Sequence, residues 1–299
     1  MITAKIVADS LGPSDQRLTT FSLVYPRFIH SELMTHRVFS RNAASSRAIP
    51  IHKMRDQIIQ NPAMPVYWGK NQKGMQAYEE ITGKDREEAV KVWLMARNDA
   101  MKHAQRLEDL GVHKQITNRL TEPFMLMNTV LTGTEFDNYY NLRDDIAAQP
   151  EFKALASAML QVQNDNEPDW LEMGQWHLPY VQKDEIENVE ESALLKFCVA
   201  RCARVSYKTH EGVVDIIRDV QRHDEMLEQG HMSPFEHPAT PLEDPEKWSG
   251  NFKGFKQYRK TLPNRFELFC AKLIRKTRRK NVGAQGAGNQ RSAEAVRAS

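Results

Sequence analysis

The sequence lacks most of the short motifs that identify an enzyme class at once. It has only three cysteines, Cys198, Cys202 and Cys270, and they form neither a paired framework nor a zinc-like cluster. It has no Gly-x-Gly-x-x-Gly or Gly-Lys-Ser/Thr loop, no Gly-x-Ser-x-Gly elbow and no His-Glu-x-x-His pair. We therefore expect no disulfide scaffold, and any nucleotide must be held by other means.

Long hydrophobic runs are also missing. No stretch is apolar enough to cross a bilayer or to serve as a secretory signal, so we expect a cytoplasmic protein. Hydrophobic residues make up 40% and charged residues 27% of the 299 residues, which is ordinary for a globular protein. The formal net charge of +2 does not by itself predict nucleic-acid binding, although the C-terminal end is locally basic.

Hydrophobic periodicity predicts a mixture of strands and helices. Alternating or β-branched segments predict strands at residues 2–8, 19–25, 66–68 and 125–131. Apolar stripes predict helices at 26–36, 85–110, 113–121, 135–143 with Thr134 as N-cap, 151–162, 192–203 and 213–228. The polar stretch 164–184 is predicted as a loop with a short strand near its end.

The segment Thr35–Arg47 is unusually dense in hydrogen-bond donors. It holds three arginines, one histidine, one asparagine and three serines, but no acid. Arginine forks match the oxygens of phosphate and carboxylate groups, and small residues beside Ser45 and Ser46 let an anion approach the backbone. The segment therefore predicts either an anion cradle, most simply for a phosphate, or a solvated basic loop.

Three further groups of residues have the composition of functional sites. They are Asn138–Arg143, Ala203–Tyr207 and Gly230–His237. The last group raises the possibility of a metal site at His231, Glu236 and His237, but the spacing is not that of a helical ligand pair and a proline interrupts it. We therefore expect no metal. His237 is as well explained by a core or capping position.

Taken together, these groups resemble the motifs of the flavin-dependent thymidylate synthases. The signature is matched by His36-Arg37-x-x-Ser40-x-Asn42-x-x-Ser45-x-Arg47. The family's C-terminal block is similar to Asn138–Arg143 followed by Ala148-Gln149-x-Glu151, and its N-terminal block to Ala203–Tyr207 with Gly230–His237. The blocks occur in the opposite order, so the chain resembles a circularly permuted, phage-like member. Permutation is tolerated where the old termini lie close together on the surface.

This resemblance implies a fold and a domain plan. The fold is α/β, with a mixed sheet flanked by helices. A single domain would span 1–270, with the signature half at 1–163, the other half at 192–262 and the join at 164–191. Residues 281–299 would form a disordered tail.

The resemblance also implies an activity. Family members methylate dUMP to dTMP, with methylenetetrahydrofolate as carbon donor and FAD, reduced by NADPH, as hydride source. They are homotetramers with sites between subunits. No nucleophilic cysteine is needed.

Roles follow for the matching residues. Arg143 would be catalytic and would face the uracil carbonyl oxygens. The dUMP site would comprise Ser45, Ser46, Arg47, Arg119 and Arg143. The FAD site would comprise His36, Arg37, Asn138, Leu142, Ser206, His231, Ser233 and Glu236.

The sequence departs from the family pattern at three positions. Thr35 replaces an arginine, Ala43 an acid and Ala147 a histidine. We hypothesise that Arg259 or Lys260 supplies part of the charge lost at Thr35. Unchanged nucleotide and flavin affinity in both alanine variants would disprove this.

Two other functions stay open at this point. A related flavin- and folate-dependent enzyme would leave a hydroxymethyl group on the pyrimidine nucleotide, which the product mass would reveal. A catalytically inactive relative would bind nucleic acid through the basic cluster 272–280, with strongly salt-dependent affinity.

Overall fold

A five-stranded mixed sheet forms the centre of this computed structural model, which describes residues 2–205 and 215–263. The strand order is β3-β4-β2-β1-β5, and only the β1–β5 pair is parallel. The strands of this sheet are β1 (Thr3–Leu11), β2 (Arg17–Pro26), β3 (Ser40–Ala43), β4 (Leu126–Gly133) and β5 (Asp169–Trp170). Two small hairpin-like pairs, β6–β9 and β7–β8, are formed by β6 (Ala239–Pro241), β7 (Trp248–Ser249), β8 (Phe252–Lys253) and β9 (Phe255–Gln257).

Helices surround the sheet on both sides. They are α1 (His30–Leu33), α2 (Ile51–Gln60), α3 (Gly83–Asp109), α4 (Lys114–Thr117), α5 (Asp137–Arg143), α6 (Pro150–Asn164), α7 (Lys183–Asn188), α8 (Glu191–Arg204) and α9 (Ile216–Gln229). Short 3₁₀ turns occupy Arg27–Ile29, Asn118–Phe124, Ser233–Glu236 and Tyr258–Lys260. The predicted α/β class, a mixed sheet flanked by helices, is confirmed.

Each face of the sheet buries a separate apolar cluster. On one face, Phe21 and Leu131 from the strands pack with Tyr139 of α5 and Phe152 of α6. On the other, Val130 packs with α8, whose Cys198 and Cys202 are free, buried thiols, as their spacing predicted. Strand side chains alternate between faces, so β2 and β4 carry apolar residues on both sides, as expected for central strands.

The long helix α3 was predicted to within two residues at each end, yet most of it is exposed. Of its residues only Ala104 is buried. Trp93 is partly buried and contacts Phe124 edge-to-face, with ring centroids 5.4 Å apart. Within the described ranges, no helix has the length and apolar character needed to span a bilayer.

Several local predictions were wrong for identifiable reasons. The helix predicted at 26–36 is a 3₁₀ turn followed by one α turn that ends at Leu33. The helix predicted at 113–121 is α-helical only over α4, Lys114–Thr117, and continues as a 3₁₀ turn that runs through Pro123. Thr134 does not cap α5, because its hydroxyl accepts the Lys253 amide instead. Residues 66–68 form no strand, and Gly69 makes only an isolated bridge to Glu80.

The predicted loop 164–184 holds more structure than expected. Its strand, β5, lies near the beginning and not the end, and α7 begins at Lys183. Helix α9 ends at Gln229, one residue beyond its predicted end, and the capping residue Gly230 has a φ of +75°, which suits glycine. Its predicted first residues lie in 206–214, outside the described part of the chain.

Candidate functional site

The structure brings His36 and Arg143 into direct contact, although they lie far apart in sequence. The Nε–H of Arg143, the last residue of α5, donates to His36 Nε2 at 2.9 Å. The Arg143 guanidinium also stacks over Phe152, 4.7 Å from the ring centroid. Burial, with the charges of Arg143 and Arg41, lowers the pKa of His36. His36 is therefore a neutral acceptor that orients Arg143.

Arg143 lines a cavity of about 780 Å³, a size that suits a nucleotide or a comparable ligand. Three of its walls are aromatic: Phe28, Tyr67 and Trp93. Glu32 of α1 also lines it. The arrangement combines flat apolar surfaces, on which a base can stack, with a few charged groups that can fix its orientation.

Three partly buried hydrogen bonds hold the walls of this cavity in place. The Trp93 indole N–H donates to Ala63 O at 3.0 Å. Glu151, only 4% exposed at the start of α6, accepts the Val66 amide at 2.8 Å and the Gln149 side-chain amide at 3.2 Å. The C-terminal motif block pointed to Gln149 and Glu151, but no motif pointed to Glu32, Tyr67 or Trp93.

A second region contains the predicted phosphate cradle. Glu122 Oε1 accepts Ser46 Oγ–H at 3.0 Å and Arg119 at 2.7 Å, and lies 2.9 Å from the Arg27 guanidinium. Asn118 donates to Ser46 O at 2.7 Å and fixes the loop that follows β3. The structure thus brings Ser46 and Arg119 together around the Glu122 carboxylate, which neutralises the charge of Arg119.

The two remaining cradle residues are less constrained. Arg47 is exposed and makes no side-chain interaction with the described residues. The Ser45 carbonyl accepts the Ala48 amide at 3.0 Å, so the loop turns sharply at the predicted anion site. Of Arg47 and Arg119, Arg47 is therefore the arginine that a phosphate can contact without displacing an acid.

The predicted flavin residues fall into two groups. Arg37 and Asn138 are exposed, and Leu142 is 50% exposed, near the His36–Arg143 pair. His231 and Ser233 are exposed at the Ser233–Glu236 turn. Ser206 lies outside the described residues. The structure does not join these groups into one enclosed pocket within the described chain.

The Ser233–Glu236 turn packs against β3, so two of the motif blocks meet in space. Glu236 forms an ion pair with Arg259, and its charge acts on Arg41 of β3. Arg259, hypothesised to replace the charge lost at Thr35, thus contacts a predicted flavin residue. Thr35 itself is exposed and donates its hydroxyl to Glu32 O at 2.7 Å.

His237 is a core residue, one of the two roles that the sequence allowed. A buried hydrogen-bonded ladder runs from Ser10 to His177 Nδ1, from His177 Nε2 to Thr20, from Thr20 to Thr132 and from Thr132 to His237 Nδ1. Each step measures 2.7 or 2.8 Å. Burial lowers the pKa of both histidines to about 3, so both are neutral.

Other candidate groups are structural. Arg204, which belongs to the Ala203–Tyr207 group, forms an ion pair with buried Asp219. Arg201 binds Glu185 at 2.5 Å and Asp219 at 3.2 Å, which ties α7, α8 and α9 together. Among the described residues, no group of three His, Cys, Asp or Glu side chains is placed to hold a metal ion.

The donor set fits a flavin nucleotide in its chemistry. Arg37, Asn138, His231 and Ser233 are exposed, and their side chains have no hydrogen-bond partner within the described ranges. Guanidinium, amide, imidazole and hydroxyl groups are suitable donors for phosphates and for the polar edge of a ring.

A comparison with known proteins gives a distant structural likeness. No family model and no curated protein matches the chain. Among solved structures, the chain is similar to the crystal structure of a UMP/dUMP methylase, PolB, from Streptomyces cacaoi bound with 5-Br dUMP. The TM-score is 0.43 and the identity 18%, over 55% of this chain and 90% of that chain. A likeness of this size carries no argument about the ligand or activity of this chain.

Proposed function

We propose that this chain is a flavin-dependent thymidylate synthase that converts dUMP to dTMP. Methylenetetrahydrofolate is the carbon donor and NADPH the source of electrons. The observation that carries the proposal is the His36–Arg143 hydrogen bond of 2.9 Å. It joins the signature to the C-terminal motif block at the edge of a cavity of nucleotide size.

The residues of the chain bind and orient the substrate in this proposal. Arg143 donates to a uracil carbonyl oxygen and stabilises the negative charge that develops on the ring, an effect worth roughly 3 kcal/mol for such donors. Neutral His36 holds the guanidinium in position. Ser45, Ser46 and Arg47 bind the phosphate, with Arg119 in a lesser role because Glu122 already engages it.

FAD, when bound, supplies the hydride chemistry. The residues that would hold it are His36, Arg37, Asn138, Leu142, Ser206, His231, Ser233 and Glu236. The meeting of the Ser233–Glu236 turn with β3 supports a permuted family member, because motif blocks distant in sequence share one region of the fold.

We also propose a homotetramer with sites between subunits. Leu142 and Ile146 are apolar, 50% and 79% exposed, and adjoin Arg143 on the same segment. Exposed apolar groups beside a functional residue are typical of a surface that a partner covers. Light scattering of the purified protein would give the assembly size, and a monomer would contradict this part of the proposal.

The first experiment is the absorption spectrum of the purified protein, with the released cofactor identified by mass. We expect a flavin spectrum, FAD in the supernatant after heating, and dTMP formation from dUMP and methylenetetrahydrofolate with NADPH. A protein that is colourless and takes up no added FAD would refute the proposal. A product carrying a hydroxymethyl group would replace it with the hydroxymethylase.

A further inference from the structure

Glu32 and Arg143 are opposite charges that line one cavity without pairing with each other. Within the described ranges, the Glu32 carboxylate has no hydrogen-bond or ion-pair partner. Arg143 uses only its Nε–H, toward His36. A carboxylate and two terminal guanidinium nitrogens therefore remain available to a ligand between the aromatic walls.

The Arg143 guanidinium and the backbone that carries Glu32 are both positioned before a ligand arrives. Glu32 belongs to α1, and its carbonyl accepts the Thr35 amide at 3.0 Å and the Thr35 hydroxyl at 2.7 Å. Arg143 is held by His36 and Phe152. Binding groups that are fixed in advance lose less entropy when the ligand binds, and so they discriminate more strongly between ligands.

The chemistry of the two groups matches one pyrimidine better than the other. A carboxylate only accepts hydrogen bonds, and a guanidinium only donates them. Uracil presents an N3–H donor between two carbonyl acceptors, whereas cytosine presents an N3 lone pair. A carboxylate facing cytosine N3 would be repelled, and a buried polar group left unpaired costs affinity.

We infer that the Glu32 carboxylate accepts the N3–H of a uracil ring while Arg143 donates to the neighbouring carbonyl oxygen. Glu32 is then the residue that selects uracil nucleotides over cytosine nucleotides. This inference rests on the proposed function, which supplies the pyrimidine nucleotide. It adds a specificity residue at a position to which the sequence motifs assign no role.

The test is calorimetric titration of the full chain, with FAD added, by dUMP, dCMP and N3-methyl-dUMP. We expect the wild type to bind dUMP at least tenfold more tightly than the other two, since both lack the N3–H donor. Glu32→Ala should bring the affinities for dUMP and N3-methyl-dUMP within about threefold of one another. Glu87→Gln, a matched loss of charge on the exposed face of α3, should keep the wild-type order.

The outcomes separate the two proposals. A wild type that binds all three nucleotides equally, or a Glu32→Ala variant that discriminates like the wild type, overturns the role of Glu32 and leaves the proposed function standing. A wild type that binds none of the three overturns both.

Discussion

The Arg143 cavity and the Glu122 cluster, which comprises Arg27, Ser46, Arg119 and Glu122, each contain an arginine predicted for the dUMP site, but the two arginines have opposite surroundings. At Arg143 the nearest hydrogen-bond partner is a neutral imidazole, and no acid of the described chain pairs with the guanidinium. At Glu122 a single carboxylate oxygen engages Arg27, Ser46 and Arg119 together.

The Arg143 guanidinium therefore remains available to a ligand, whereas Arg27 and Arg119 stabilise the loop through Glu122. An arginine whose charge is already compensated gains less from a phosphate, because the existing ion pair must weaken first. The family resemblance assigns Arg143, Arg47 and Arg119 to one dUMP site, whereas their contacts in the structure differ. We therefore expect activity to depend on Arg143 and stability to depend on Glu122.

The largest expected effect is on catalysis. Arg143→Ala should lower kcat/KM for dUMP by about 100- to 1,000-fold, because it removes the donor that faces developing charge. The urea midpoint should change little, since Arg143 is partly exposed and pairs with no acid. Arg106→Ala, on the exposed face of α3, is the control. A change of less than threefold in kcat/KM would remove Arg143 from the site.

Acid should destabilise both regions together, because they share the sheet that the histidine ladder crosses. The pKa of His177 and His237 is about 3 when folded and near 6.5 when unfolded. Between these values the unfolded chain binds more protons, so the free energy of unfolding falls as pH falls below 6.5. From pH 7 to 5 we expect a loss of about 2 kcal/mol per histidine.

Urea titrations at the two pH values would measure this loss. His30, whose pKa is lowered to about 4, acts in the same direction. The imidazole resonances of His177 and His237 should show both rings neutral at pH 5. Protonation of either ring in the folded protein near pH 6 would contradict the assignment.

Glu122→Gln should act on stability. It keeps the shape of the side chain but leaves Arg27, which is 19% exposed, beside a neutral group. We expect a loss of about 2 kcal/mol in the free energy of unfolding, the usual scale for hydrogen bonds to a charged group. The measurement is the urea midpoint, with Glu87→Gln as the matched control. An unchanged midpoint would mean that the cluster is not structural.

The smallest effect should distinguish two cradle arginines. Arg47→Ala should raise KM for dUMP about tenfold, whereas Arg119→Ala should raise it less than threefold, because Glu122 already engages Arg119. Steady-state kinetics on both variants would test this. The reverse order would mean that the phosphate displaces Glu122.

The strands that sequence patterns predicted are those whose own residues have the composition of a strand. β1, β2 and β4 carry alternating or β-branched apolar residues and were predicted within a few residues of their bounds. β3, Ser40-Arg41-Asn42-Ala43, was placed in a loop, because its residues have little β-propensity. It is a strand because β4 offers it a pairing edge, Ser40 opposite Thr132, and such a tertiary effect leaves no local signal.

The candidate site was predictable only where one segment carried several of its residues. His36 and Arg143 were predicted from the motif blocks, and the structure brings them within 2.9 Å of each other. Glu32, Tyr67 and Trp93 come from separate segments, and only folding assembles them into one wall. Glu122 was detectable in principle, since it lies three residues after Arg119, a spacing at which opposite charges meet on a helical turn.

The histidine ladder has a consequence that no single bond in it shows. Each threonine hydroxyl has one hydrogen but takes part in two hydrogen bonds. If Thr20 accepts a hydrogen bond from His177, its own hydroxyl must therefore donate to Thr132, and the Thr132 hydroxyl must donate to His237. Both rings are then Nε2–H tautomers, and in the opposite arrangement both are Nδ1–H. His237 Nε2 is buried without a partner in the described chain. It therefore presents a proton when Ser10 donates to His177 Nδ1, and a lone pair when His177 Nδ1–H donates to Ser10.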